Sequence, residues 1–314
     1  MLLRFLILNT IFATTNNTMK FISFVLTYPF IWLLSRLPMR ILYLIATFFY
    51  FIIYYIVGYR KEIVFKNLEL SFPKKTKEEL KQIRKKFYGH FVDLFIESIK
   101  AFSISEKEIK KRYVYKNPEL LNKYVREGRS IAMMGAHLAN WEWSVNMSLH
   151  TKIKCFGAYT RLQNKYFDKK IKKSRQKFGF SGYKTSDFIK GMQENFNNNI
   201  QGLYLLLSDQ SPRPKKAYYW REFLGVKVPV HTGAEMLSKR FDMVVLNYVA
   251  KKIKRGYYEI EFQLITDQPK TFDNYKITDL YTALTEENIK EQPELYLWTH
   301  KRFKHRNKVP KAFL

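Results

Sequence analysis

The stretch "SIAMMGAHLANWEW", residues 130–143, decides how the chain is read. A short apolar run, SIAMMG, has the length and bulk of a buried strand. It stops at a small-residue turn, and a helical pattern follows from about Asn140. Outward from it, further short apolar runs, KCFGAYT, GLYLLLS and MVVLNYVA, alternate with helical stretches such as NKYFDKKIKKSRQKFGF and TSDFIKGMQENF. That alternation predicts an α/β fold, a mixed sheet with helices packed on it. MVVLNYVAKKIKRGYYEIEFQLIT reads as two strands joined at the turn of Lys254 to Gly256, an antiparallel piece late in the sheet. The last segment, TDLYTALTEENIKEQPELYLWTHKRFKHR, reads as helical on either side of Pro293.

His137 and Glu142 sit in the opening stretch, five residues apart. On one ideal helix they would lie about 140° apart and could not share a face. If the strand ends at Gly135 and the helix starts near Asn140, His137 lies in the turn and Glu142 in the first helical turn. Its carboxylate can then fold back toward the imidazole. A carboxylate held against a histidine fixes its tautomer and stabilises the imidazolium, which makes the ring a general base near neutral pH. The alternative is a capping glutamate beside a structural histidine. No serine occupies a G-x-S-x-G elbow, so the nucleophile expected is a substrate hydroxyl.

The 314 residues carry 46% apolar side chains, 17% aromatics and a formal charge of +28. Such a chain builds a large core and needs a polyanionic partner or surface. Nucleic acid, anionic lipid and acidic protein all satisfy the charge. The single cysteine, Cys155, excludes an internal disulfide and a cysteine-built zinc site, and suits a reducing compartment. The histidines lack H-E-x-x-H or similar spacing, so neither a metal nor another cofactor is indicated.

Residues 41–58, ILYLIATFFYFIIYYIVG, contain no charge and reach the length of a bilayer crossing. Residues 21–34, FISFVLTYPFIWLL, are shorter and carry Pro29, and read as an interfacial or re-entrant helix. Ten basic residues lie between Arg60 and Lys86 against four in the first 40, Arg4, Lys20, Arg36 and Arg40. This excess places the larger, C-terminal part in the cytoplasm. Three regions follow: residues 1–18, a leader that could be non-native because Met19 offers a second start; residues 19–60, a membrane segment; and residues 61–314, the main domain. Within the last, residues 74–102 form a basic amphipathic helix whose apolar stripe runs from Leu80 to Ile99. A nucleic-acid-binding protein would account for charge and aromatics but not for the apolar segment. A noncatalytic membrane scaffold would leave the His/Glu pair idle.

GAHLANWEW resembles the H-x4-D/E signature of membrane-associated glycerolipid and lipid A acyltransferases. Its H-x-x-N-W-E form is similar to the branch that adds secondary acyl chains to lipid A. Further resemblances run in order: VFKNLELSFP at 64–73, GAYTRLQNKYFDKKIKKSRQKFG at 157–179, LSDQSP at 207–212 and PELYLWTHKRFKHR at 293–306. The resemblance implies an inner-membrane enzyme, its catalytic domain facing the cytoplasm. It would move an acyl chain from acyl carrier protein to a hydroxyl of an anionic glycolipid, without nucleic acid. His137 would be the base and Glu142 its orienter, with Asn140 in the same motif. Arg161, Arg175 and Asp209 match further polar positions of the family. Arg175 could bind lipid phosphate or be one basic residue on an exposed helix. Asp209 follows an apolar strand, where it could serve the site or cap a turn. Arg302 could meet anionic head groups or belong to a solvated tail. His231 and His300 read as core, cap or surface residues. The sequence RPKKAYYWREFLGVKVPVHTGAE after LSDQSP departs from the branch and leaves the acceptor open. Another membrane lipid is the alternative.

Overall fold

The structure, a computed structural model, describes residues 16–313. Most of the leader proposed for residues 1–18 lies outside the described residues. Helix α1, Asn17–Arg36, begins two residues ahead of Met19, with the Asn16 side chain accepting from the Thr18 N–H as its cap. Helix α2, Met39–Phe51, runs on as a π-helical segment, Ile52–Val57. It stops at Gly58, whose φ of +62° is the left-handed conformation that ends many helices.

Helices α3 (Lys61–Ser71) and α4 (Lys77–Lys100) follow. The start of α4 is set by a reciprocal cap: the Thr76 hydroxyl accepts from the Glu79 N–H, and the Glu79 carboxylate accepts from the Thr76 N–H. The stripe expected from the sequence is a core face: Leu80, Phe87, Phe91, Leu94 and Ile99 are buried, and the lysines face outward.

The elements that follow are α5 (Glu106–Arg112), β1 (Tyr113–Tyr115), α6 (Pro118–Arg126), β2 (Ile131–Gly135) and β3 (Lys154–Tyr159). Next are α7 (Lys165–Gln176), β4 (Ser181–Lys184), α8 (Phe188–Asn197), β5 (Gly202–Leu207), β6 (Tyr219–Phe223) and β7 (Val226–Val230). The chain continues with α9 (Gly233–Phe241), β8 (Val244–Lys254), β9 (Tyr257–Thr266) and α10 (Lys276–Glu291). Seven strands form one sheet in the order β1-β9-β8-β2-β5-β3-β4. Every pairing is parallel except β8 with β9, the late hairpin expected at residues 254–256. A separate antiparallel ribbon of β6 and β7 lies within residues 213–235.

Alternate residues of each central strand enter two different cores. Ile131, Met133, Cys155, Leu203 and Leu246 pack on the face shared with α2, α3 and α4. Ala132, Met134, Phe156, Tyr204 and Val245 pack on the face shared with α8, α9 and α10. With both faces covered, β2 has no polar side and reads as one unbroken apolar run.

The helix expected after Pro293 does not form. The chain makes a short 3₁₀ turn, Pro293–Leu295, and then runs extended against the loop after β2. There the Leu297 N–H donates to the His137 carbonyl at 3.1 Å, and the Ala139 N–H donates to the Leu295 carbonyl at 3.1 Å. Donors committed to another segment cannot close a helix of their own.

Candidate functional site

The register of the central strands builds the site. β2 and β5 are neighbours with Gly135 paired to Leu207, so the residues two beyond each end, His137 and Asp209, emerge side by side at the carboxyl edge of the sheet. His137 Nδ1 lies 2.7 Å from Asp209 Oδ1, and both side chains are buried. A carboxylate only accepts, so Nδ1 carries the proton and Nε2, across the ring, is the atom left to take one. Burial pushes the Asp209 carboxyl up, but the adjacent imidazole outweighs it and holds the group below its usual range. The Trp141 ring stands edge-on to the imidazole at 5.3 Å.

The turn that carries His137 is clamped from several sides. A Cβ on Gly135 would fall 2.0 Å from the Tyr248 ring, so only glycine lets that ring close under the strand end. The Tyr281 hydroxyl donates to the Gly135 carbonyl at 2.6 Å. Ala139 takes a φ of +51°, a costly conformation for a residue with a Cβ, and its N–H is held by Leu295. Asn140 then caps the 3₁₀ helix Trp141–Leu149 through the Trp143 N–H at 3.0 Å, while its amide donates to Glu97 Oε2 on α4 at 2.5 Å. Asn140 is fully buried in that role.

Glu142 does not fold back on His137. Its Oε2 lies 2.8 Å from a terminal guanidinium nitrogen of Arg175 on α7. Burial would raise the Glu142 carboxyl, and the Arg175 charge brings it below the ordinary range instead. The geometry differs from expectation because Asp209, one strand away, already occupies the Nδ1 side of the ring. A buried glutamate is then best satisfied by the nearest cation.

His137, Glu142 and Arg175 line one cleft of about 530 Å³. Its other walls are mostly apolar: Phe102, Trp141, Leu162, Ile171, Phe178, Phe180, Leu205 and Leu207. His231, expected as a core, cap or surface residue, lines it too. Burial, with Arg302 nearby, lowers its pKa. His300 is a capping residue, as one of the expectations had it: Nε2 accepts the Ser211 N–H at 3.1 Å. Burial brings its pKa down to about 4.

The other arginines lie elsewhere. Arg161 is exposed, 4.0 Å from Asp168, and is not among the cleft walls. Arg302 is not in a solvated tail but buried, donating to the Pro229 carbonyl at 3.0 Å with its guanidinium 4.7 Å from the Phe223 ring centroid. It ties this late segment to the β6–β7 ribbon. Among the described residues no three histidine, cysteine or acidic side chains converge as metal ligands.

Glu97 carries no signal in the sequence beyond its place on α4. It is fully buried, and its Oε atoms accept from Asn140, from the Tyr258 hydroxyl at 2.9 Å and from the Tyr43 hydroxyl at 2.7 Å. Burial and then the neighbouring Asp93 charge push its pKa up to about 7. It holds the His137 loop, the sheet and α2 together through one carboxyl group.

A buried histidine backed by a carboxylate, in the wall of a mostly apolar cleft, can remove a proton from a hydroxyl presented by an amphipathic substrate. The model of the bacterial lipid A biosynthesis acyltransferase family matches residues 10–305, nearly the whole chain. No curated protein matches it. The chain belongs to the lipid A biosynthesis acyltransferase family and is an acyltransferase.

Proposed function

We propose that the protein transfers a fatty acyl chain from an acyl carrier protein thioester to the hydroxyl of an acyl chain already carried by a lipid A precursor. The observation that carries this reading is the 2.7 Å contact of Asp209 with His137, which lines a mostly apolar cleft. The mostly apolar walls suit an alkyl chain, and the imidazole among them would act on its reacting end.

In this mechanism His137 Nε2 takes the acceptor's proton as its oxygen attacks the thioester carbonyl. Asp209 holds the ring through Nδ1 and stabilises the imidazolium. When the tetrahedral intermediate collapses, the imidazolium returns the proton to the departing thiolate, so no acyl-enzyme forms. The Glu142–Arg175 pair belongs to the same cleft, and the remaining guanidinium N–H groups would take an anionic head group. The +28 charge favours both an acidic carrier protein and an anionic membrane, which suits the cytoplasmic face of the inner membrane.

The test is a reconstituted reaction: the purified full chain in phospholipid vesicles, an acyl carrier protein thioester, and a lipid A precursor with a free 3-hydroxyacyl chain. Mass spectrometry should show the acceptor heavier by one acyl group. Transfer to lysophospholipid with none to the glycolipid would favour the alternative acceptor. A stoichiometric acyl-protein formed without acceptor and chased into product would overturn direct attack.

A further inference from the structure

Helices Asn17–Arg36 and Met39–Val57 are long and apolar enough to cross a bilayer. Their contacts argue for another arrangement. A crossing helix needs about 30 Å of its length surrounded by lipid. Here α2 is held by the globular domain along most of its course. Leu42 and Ala46 are fully buried, Tyr43 donates to Glu97, and Tyr54 packs on Tyr88 of α4 at 5.3 Å. Arg255, at the β8–β9 turn, donates to the Tyr43 carbonyl and to the Thr47 hydroxyl, both at 3.1 Å, while pairing with Asp93 at 2.6 Å. Helix α1 is tied at both ends. Asn164 donates to the Lys20 carbonyl at 2.8 Å, and Lys100 donates to the carbonyls of Ser35 and Leu37 at 3.0 and 2.9 Å. Crossing would draw Arg255, Asp93 and Lys100 into hydrocarbon, where ionised groups are expensive.

The opposite faces are bare. On α2 the exposed apolar residues recur at Ile41, Leu44, Phe48, Phe51 and Tyr55, and on α1 at Ile22, Leu26, Phe30 and Leu33. Each series steps by three or four residues and so lies on one side of its helix. Between Asn17 and Lys61 there is no acidic residue, whereas Arg36 and Arg40 are exposed at the junction of the helices. Helix α7, with Lys165, Lys169, Lys172 and Lys173 exposed, abuts α1 through Phe24 and Tyr166, 5.7 Å apart.

We propose that α1 and α2 lie in the plane of one anionic leaflet, their apolar stripes immersed and their other faces docked on the enzyme, and cross nothing. An apolar face bordered by basic side chains fits an anionic bilayer by both hydrophobic and charge complementarity. The arrangement also brings the membrane to the cleft: Tyr28 of α1 stands edge-on to Phe102, a cleft wall, at 6.1 Å.

The experiment needs no catalysis, so its outcome is separate from the assignment of substrate. Single cysteines replace Ile41, Phe48 and Tyr55 in the full chain, all exposed positions, and are spin-labelled; native Cys155 is buried and stays unlabelled. Depth is read by power saturation on vesicles of phosphatidylethanolamine and phosphatidylglycerol. An in-plane helix gives three similar, shallow depths. A crossing helix gives a deep label at 48, about 10 Å below labels at 41 and 55 near opposite surfaces, and would overturn the proposal. Labels that remain open to water on bound vesicles would overturn it as well, by showing that something other than lipid covers the stripe. Replacing phosphatidylglycerol with phosphatidylcholine should weaken binding at least tenfold, and equal binding would refute the anionic preference.

Discussion

Residues 131–135 and residues 41–57 are both unbroken apolar runs, yet the molecule uses them in opposite ways. Each residue of β2 is buried, alternately in one core and the other. The helical run is buried on one side only, with Leu42 at 0% exposure and Leu44, two residues on, at 72%. Hydrophobicity shows that a segment avoids water. The polar groups beside it show what replaces the water: backbone partners and tyrosine clamps for β2, Arg255 and Glu97 on one side of α2 and basic side chains at the margins of the other.

The largest effect is expected where β2 ends. His137→Ala should lower turnover by on the order of 10² to 10⁴-fold, the range of general-base catalysis, with the fold intact by circular dichroism. An enzyme of normal activity would remove the assigned base. Within α2 the contrast becomes a pair of substitutions. Leu42→Ala should cost about 2–5 kcal/mol of stability. Leu44→Ala should fall within about 0.5 kcal/mol of wild type while weakening vesicle binding. Equal thermal shifts would erase the distinction between the two faces. At the strand end, Gly135→Ala forces a methyl group into the Tyr248 ring and should cost about 1–3 kcal/mol. Unchanged melting would mean that the clamp yields freely.

Glu97 joins the two regions, and its titration gives a smaller, signed effect. Its folded pKa of about 7 lies above the ordinary 4.5, so the folded state holds more protons across that window. Stability from this group is therefore fully present below pH 4.5 and is lost as pH rises through 7. Glu97→Gln should flatten that part of the pH–stability curve, and an unchanged curve would show that the carboxyl stays ionised. Smallest of all, Cys155→Ser should leave turnover unaltered. The thiol is buried in β3, and burial pushes it up to about 12, far from a nucleophile's range.

The central parallel strands β2, β3 and β5, the late hairpin and α4 were legible because each leaves a periodic or bounded apolar pattern. The short strands β1 and β4 and the β6–β7 ribbon were not, having three to five residues each and little alternation. The stretch after Pro293 looked helical because its apolar spacing suits a helix, but its pairing with the His137 loop is a tertiary fact. His137 stood out by its motif. Asp209 was a candidate too, but its pairing with His137 was not legible, because that contact depends on β5 being inserted beside β2, and strand order is not written in local sequence. Proximity in sequence favoured Glu142, whereas the register of two parallel strands favoured Asp209.

The central claim is that His137 works with Asp209, and the most direct test is kcat for Asp209→Asn beside Glu142→Gln in the same reconstituted acyl transfer. The account predicts that Asp209→Asn loses about 10² to 10⁴-fold in kcat with donor KM little changed, because the ring loses the charge that orients it. Glu142→Gln should act mainly on acceptor KM through Arg175. Wild-type kcat in Asp209→Asn, together with a collapse of kcat in Glu142→Gln, would contradict it.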